Sequence, residues 1–122
     1  MTAPIEFIAD AGACLASTNV VGGAGRVKWM VREESQAAAD NGWRIFSDID
    51  TEEYLADSEN MQVVDFNLVC EREPALIGIW DLPVGSDLQI VDEGDGISIV
   101  HTDTGIAIPR EQMFVPEQWR RK

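Results

Sequence analysis

Few side chains in this sequence are suited to chemistry. His101 is the lone histidine, and it lies in the strand-like run Ile99-Val-His-Thr, where a structural role is the simpler reading. There is no Gly-x-Ser-x-Gly elbow and no Cys/His pair with a sequence signature, although a triad assembled by folding leaves no such trace. Cys14 and Cys70 lack CxxC or Cys/His metal spacing. They read as two buried free thiols in a reducing compartment, with a single disulfide as the alternative. Val21-Gly-Gly-Ala-Gly-Arg26 resembles a phosphate loop only on the surface. It lacks the Gly-Lys-Ser/Thr that reaches phosphate and magnesium, and a strand pattern rather than a helix follows it. Asp48-Ile-Asp-Thr-Glu-Glu53 carries carboxylates at alternating positions, as a calcium loop does, but without the central glycine and the terminal glutamate at the required spacing. Asp92-Glu-Gly-Asp-Gly96 is equally incomplete. A capped helix start and a hairpin turn account for these two stretches. With so many acids, a carboxylate pair at glycosidase separation arises by chance and discriminates nothing. No catalytic residue, cofactor or metal is therefore expected.

The acids themselves are the dominant feature. The chain has 122 residues and a formal net charge of -13. From Glu33 to Glu73 there are twelve acids, opposed only by Arg44 and Arg72. Such a stretch repels nucleic acid and anionic membrane, and it draws cationic partners inward. Solubility alone is the blander explanation of the charge. The N-terminal stretch MTAPIEFIADAGAC has no basic start, and Glu6 and Asp10 interrupt its apolar residues, so it does not read as a signal peptide. No run approaches the roughly 20 apolar residues that a membrane span needs. The expectation is a cytoplasmic protein of one domain, residues 1–122, large enough to bury a core without metal or disulfides.

The elements expected to carry these residues are short. Cys14–Ser17 is strand-like, the glycine-rich 19–25 stretch reads as a turn, and Arg26–Arg32 alternates. In that alternation Val27, Trp29 and Val31 share one face while Lys28, Met30 and Arg32 share the other. Together these segments predict a hairpin. Residues 33–41 read as a loop with a helical turn, closed by Gly42, and Trp43–Ser47 as a third strand. Asp50 and Glu53 have capping-box spacing for a helix running to about Ala56, with Tyr54 and Leu55 turned inward. Met61–Val64 reads as a strand. Asp65 is placed to cap a helix from Phe66 to Arg72, and Pro74 to open a short helix over Ala75–Trp80. Asp87–Val91 and Ile97–Val100 form a second hairpin, followed by Ile106–Ile108 and an irregular tail with Pro109, Pro116, Trp119 and three basic residues. Trp29, Trp43 and Trp80 read as core, while Trp119 is either an exposed anchor or docked on the domain. The order predicts an α+β fold: a mixed or mainly antiparallel sheet with short helices on one side and a C-terminal β-hairpin.

Several stretches carry a family likeness. They are Arg32-Glu-Glu34, Asp40-Asn-Gly-Trp-Arg-Ile-Phe-Ser-Asp48, Glu53-Tyr-Leu-Ala-Asp57, Asn60, Asp65-Phe-Asn-Leu68, Pro74 and Leu82-Pro-Val-Gly-Ser86. In this order they resemble a small bacterial family of formerly uncharacterised domains, now described as predicted immunity proteins of polymorphic toxin systems. The resemblance covers residues 13–86 and leaves 87–122 as hairpin and tail. It implies a cytoplasmic protein that neutralises a toxin by binding it, and it brings no catalytic residues. A basic toxin domain, such as a nuclease, would suit an acidic face. The candidate binding residues are Glu33, Glu34, Asp40, Asp48, Asp50, Glu52 and Glu53, with Tyr54 as an aromatic anchor. Against this stands a solvated acidic loop and a capped helix, with Arg32 and Arg44 pairing the acids structurally. The rival functions are a regulatory scaffold module and a small-molecule-binding domain with Trp and Phe lining a pocket. Nothing in the sequence sets the oligomeric state.

Overall fold

A computed structural model describes residues 5–120. The first four residues of the N-terminal stretch, and residues 121–122 of the basic tail, lie outside it. Six strands form one sheet: β1 (Ala13–Ser17), β2 (Val27–Arg32), β3 (Asp40–Ser47), β4 (Met61–Asp65), β5 (Asp87–Asp92) and β6 (Ile97–His101). Their spatial order is β4-β1-β3-β2-β5-β6. Only β1 and β3 run parallel, and every other neighbouring pair is antiparallel. The fold is thus α+β, with a mixed, mainly antiparallel sheet.

The expected hairpin of the first two strands does not form. β1 lies between β3 and β4, and β2 pairs with β3 and β5. What reads as a glycine-rich turn begins as helix α1 (Thr18–Gly22). Ser17 starts it by accepting the Val20 N–H, and Gly23 ends it in the left-handed conformation at φ 79°. Residues 33–39 form no helix but hold one hydrogen-bonded turn, in which the Asp40 N–H donates to the Ala37 carbonyl. The second helix, α2 (Glu52–Ala56), is capped by Thr51 rather than Asp50, and it buries none of its residues, so Tyr54 and Leu55 are only half-buried. Helix α3 (Phe66–Arg72) is capped by Asp65 as its sequence predicts. Pro74–Ile79 winds as a 3-10 rather than an α-helix. The β5–β6 hairpin forms, closed by the Glu93 N–H donating to the Gly96 carbonyl. Ile106–Ile108 contributes only a single bridge, Val100 to Ala107.

The core lies on one face of the sheet. Cys14, Ala16, Met30, Trp43, Ile45, Leu88, Ile90 and Ile99 point down from the strands. They pack against Val20 of α1, Phe66, Val69 and Cys70 of α3, and Leu76, Ile77 and Ile79 of the 3-10 turn. Trp43 is fully buried at 0% exposure, and its ring N–H donates to the Trp80 carbonyl at 3.0 Å. Trp80 is half-buried, donating its own ring N–H to Ala11 and meeting Phe114 edge-on. Trp119 is exposed but touches Phe7 edge-on.

Strand β2 departs from strict alternation. A bulge between Val27 and Trp29 shifts the register against β3. Val27 and Met30 therefore become the buried pair, and Trp29 and Val31 fall on the opposite face with partial exposure. Trp29 is not core. The helices that touch the strands gather on the core side, so the register leaves the other face open among the described residues.

Candidate functional site

Strand β3 organises the acidic groups, and it also divides them. Glu33, Glu34 and Asp40 lie at its start, while Asp48, Asp50, Glu52, Glu53 and Tyr54 lie beyond its end. Seven steps of about 3.3 Å put roughly 23 Å between the two groups. The candidate acids, expected on one acidic face, therefore fall into two clusters.

The first cluster surrounds Arg44. This guanidinium is 6% exposed and reaches Asp40 Oδ2 at 2.9 Å and Glu33 Oε2 at 3.1 Å. A second nitrogen donates to Asp40 Oδ1, also at 2.9 Å, so the Asp40 pair is bidentate. Asp40 also accepts the backbone N–H groups of Gln36 and Gly42. The Arg44 hydrogen bonds, aided by these N–H groups, hold the Asp40 carboxyl well below the usual carboxylate range. Asp40 in turn raises Arg44 above its ordinary value. Glycine is required beside this network: Gly42 has φ 90°, and a Cβ there would stand 2.1 Å from the Glu33 carbonyl oxygen. Among the described residues Arg32 makes no acid pair. It donates to the carbonyls of Asn41 and Leu82 and lies 5.8 Å over the Trp43 ring.

In the second cluster two acids serve the backbone. Asp48 accepts the Arg26 N–H at 2.9 Å. Asp50 accepts the Ser47 N–H at 2.6 Å and the Asn19 amide at 2.8 Å. Burial opposes the charge on Asp50, but hydrogen bonds from Ser47, Ser17 and Asn19 outweigh it and hold its pKa below the ordinary value. Glu52 and Glu53 are exposed on the first turn of α2, where negative charge favours the helix. Glu34, Glu52 and Glu53 are the candidates whose carboxylates accept no hydrogen bond among the described residues.

Other groups with chemical potential are engaged elsewhere. Cys14 and Cys70 are free and buried. Burial pushes the Cys70 thiol up to about 12 and Cys14 higher still, so neither is a ready nucleophile. His101 is half-buried at the edge strand, where its backbone pairs with Ile106. Among the described residues no three His, Cys, Asp or Glu side chains converge to hold a metal, and no helix is long and apolar enough to cross a membrane.

Two features escape a reading of the sequence. Asn67 is 5% exposed and gathers the N-terminal segment. Its Oδ1 accepts from Phe7 and Ile8, and its Nδ2 donates to the Ile8 carbonyl. Its position on the core side of α3 is the only signal the sequence holds. The other is a groove of about 270 Å³ on the open face of the sheet, walled by Ala13, Leu15, Ala37, Asp40, Arg44 and Val63. It depends on the parallel β1–β3 pairing, which no local pattern announces.

No curated protein and no solved structure matches the chain at a significant level. A family model does match, that of the immunity protein Imm33 domain, over residues 14–100. This span includes both acidic clusters and runs past Ser86 through the β5–β6 hairpin. It takes in most of the sheet just described, and on that match the chain belongs to the Imm33 family of immunity proteins.

Proposed function

We propose that the chain neutralises a cognate bacterial toxin by binding it, and that the toxin surface it meets is basic. The family match over residues 14–100 carries this reading. The net charge of -13 agrees with recognition of a basic surface. Of the candidate residues, Glu34, Glu52, Glu53 and the half-buried Tyr54 are the ones free to meet a partner. Glu33 and Asp40 act through the Arg44 network, whereas Asp48 and Asp50 hold the loops beyond the end of β3.

The test is co-expression with the toxin domain encoded beside its own gene. The expected outcome is survival of the host only when this chain is present, together with a stable complex of the two purified proteins. Continued killing, with both proteins folded and soluble, would remove the immunity reading.

A further inference from the structure

The open face of the sheet is apolar at its centre and acidic at its rim. Strand register sets the composition. One row runs Val63, Leu15, Arg44, Val31, Asp87 across β4, β1, β3, β2 and β5. A neighbouring row places Phe46, Trp29 and Gln89 side by side. Val63 is 73% exposed, and Leu15, Phe46, Trp29 and Val31 are all partly exposed. Half-exposed aromatic and aliphatic side chains in mid-sheet, with a groove beside them, are the composition of an interface centre rather than a solvated face.

Charge selects the occupant. Arg44, the cation within these rows, is already matched by Glu33 and Asp40. Glu34 and Asp87 add further negative charge at the same margin. A second copy of this chain would bring like rims together in a two-fold contact, which disfavours self-association. A partner with lysines or arginines ringing an apolar projection meets both features.

We infer that this open sheet face, centred on Trp29 and Phe46 and extending to Leu15 and Val63, is the docking surface for a basic protein partner. The inference rests on the immunity reading and gives it a place on the molecule. The toxin contributes an apolar side chain to the groove beside Arg44. Its surrounding cations face Glu34 and Asp87. The aromatic pair supplies the desolvated centre where such interfaces concentrate their binding energy.

The experiment is titration calorimetry with the toxin domain encoded beside the gene, using the wild-type chain and Trp29→Ala, Val63→Lys, Asp87→Lys and Glu111→Lys. Thermal melting of each variant accompanies the titrations. The expected result is at least a tenfold loss of affinity for Trp29→Ala and Val63→Lys and a smaller loss for Asp87→Lys. Glu111→Lys, an equal charge change in the tail, should stay within about twofold of wild type. Should Trp29→Ala fail to fold, Val63→Lys keeps the test intact, because that side chain is mostly solvated. Full affinity in the folded variants would overturn the docking face while leaving the immunity reading standing. A loss confined to Val63→Lys would also overturn it, pointing instead to strand pairing along the β4 edge. If the wild-type chain neither binds nor protects, both the inference and the immunity reading fail.

Discussion

At the level of single residues, the strongest constraints are polar groups inside or against the core. Trp43→Ala empties a fully buried site and takes the ring N–H from the Trp80 carbonyl, which keeps only the longer Arg32 bond at 3.4 Å, so it should cost roughly 3–5 kcal/mol in denaturant unfolding. Asn67→Ala leaves the buried backbone N–H and carbonyl of Ile8 without the side chain that pairs them. At about 1–3 kcal/mol for each unsatisfied group, the loss should approach that of the tryptophan. Asp40 gives a pH signature. Its carboxyl is held below its ordinary value, so its contribution is fully present above the unfolded value of about 3.9. That contribution is lost as pH falls from there toward the native value. Asp40→Asn should therefore cost about 1.5–3 kcal/mol at neutral pH and flatten the acid limb of stability below about pH 4, as read by unfolding at pH 7 and pH 3. Trp43 was legible as core because its strand is strongly apolar. The Arg44 network was legible only as an opportunity for pairing, since sequence shows which acids are near and not which one the backbone aims at the guanidinium.

Among the elements, legibility followed the strength of local signals. The β5–β6 hairpin and the Asp65-capped helix α3 declare themselves through a glycine turn and a cap before an apolar stretch. Helix α1 spans only five residues, too few for a 3.6-residue period to emerge, and its glycines mimic a turn. The parallel β1–β3 pairing and the β2 bulge are long-range choices made by the packed sheet, so the alternation of β2 does not reveal that Trp29 lies off the core. Helices α2 and α3 then make a contrasting pair of predictions. Removing either cap should cost its helix about 1 kcal/mol. Helix α3 buries Phe66, Val69 and Cys70, so Asp65→Ala should lower the midpoint of thermal unfolding by about 4 °C. Helix α2 buries nothing, so Thr51→Ala should leave the midpoint unchanged and only hasten hydrogen exchange of the amides from Glu53 to Asp57.

For the molecule as a whole, the question is how the acids act now that they are split between the ends of β3. Neither cluster alone can cover a partner, but together with Asp87 they set a field over the sheet, and a field acts on approach more than on the final contact. The expected signature is kinetic. Association with a basic partner should slow steeply as salt rises, because the Debye length shrinks from about 30 Å at 0.01 M to about 10 Å at 0.1 M. Dissociation should change far less. Charge reversal at Glu33 would confuse this experiment, since a lysine there would stand beside the buried Arg44 and disturb the fold. Glu34 is exposed and its carboxylate accepts no hydrogen bond among the described residues, so Glu34→Lys is the cleaner probe. Stopped-flow mixing at low and at physiological salt should show Glu34→Lys associating several-fold more slowly at low salt, with the gap closing as salt increases and the melting temperature unchanged. Equal rates at low salt would mean that the acidity at the start of β3 serves solubility, and that recognition depends on the apolar face alone.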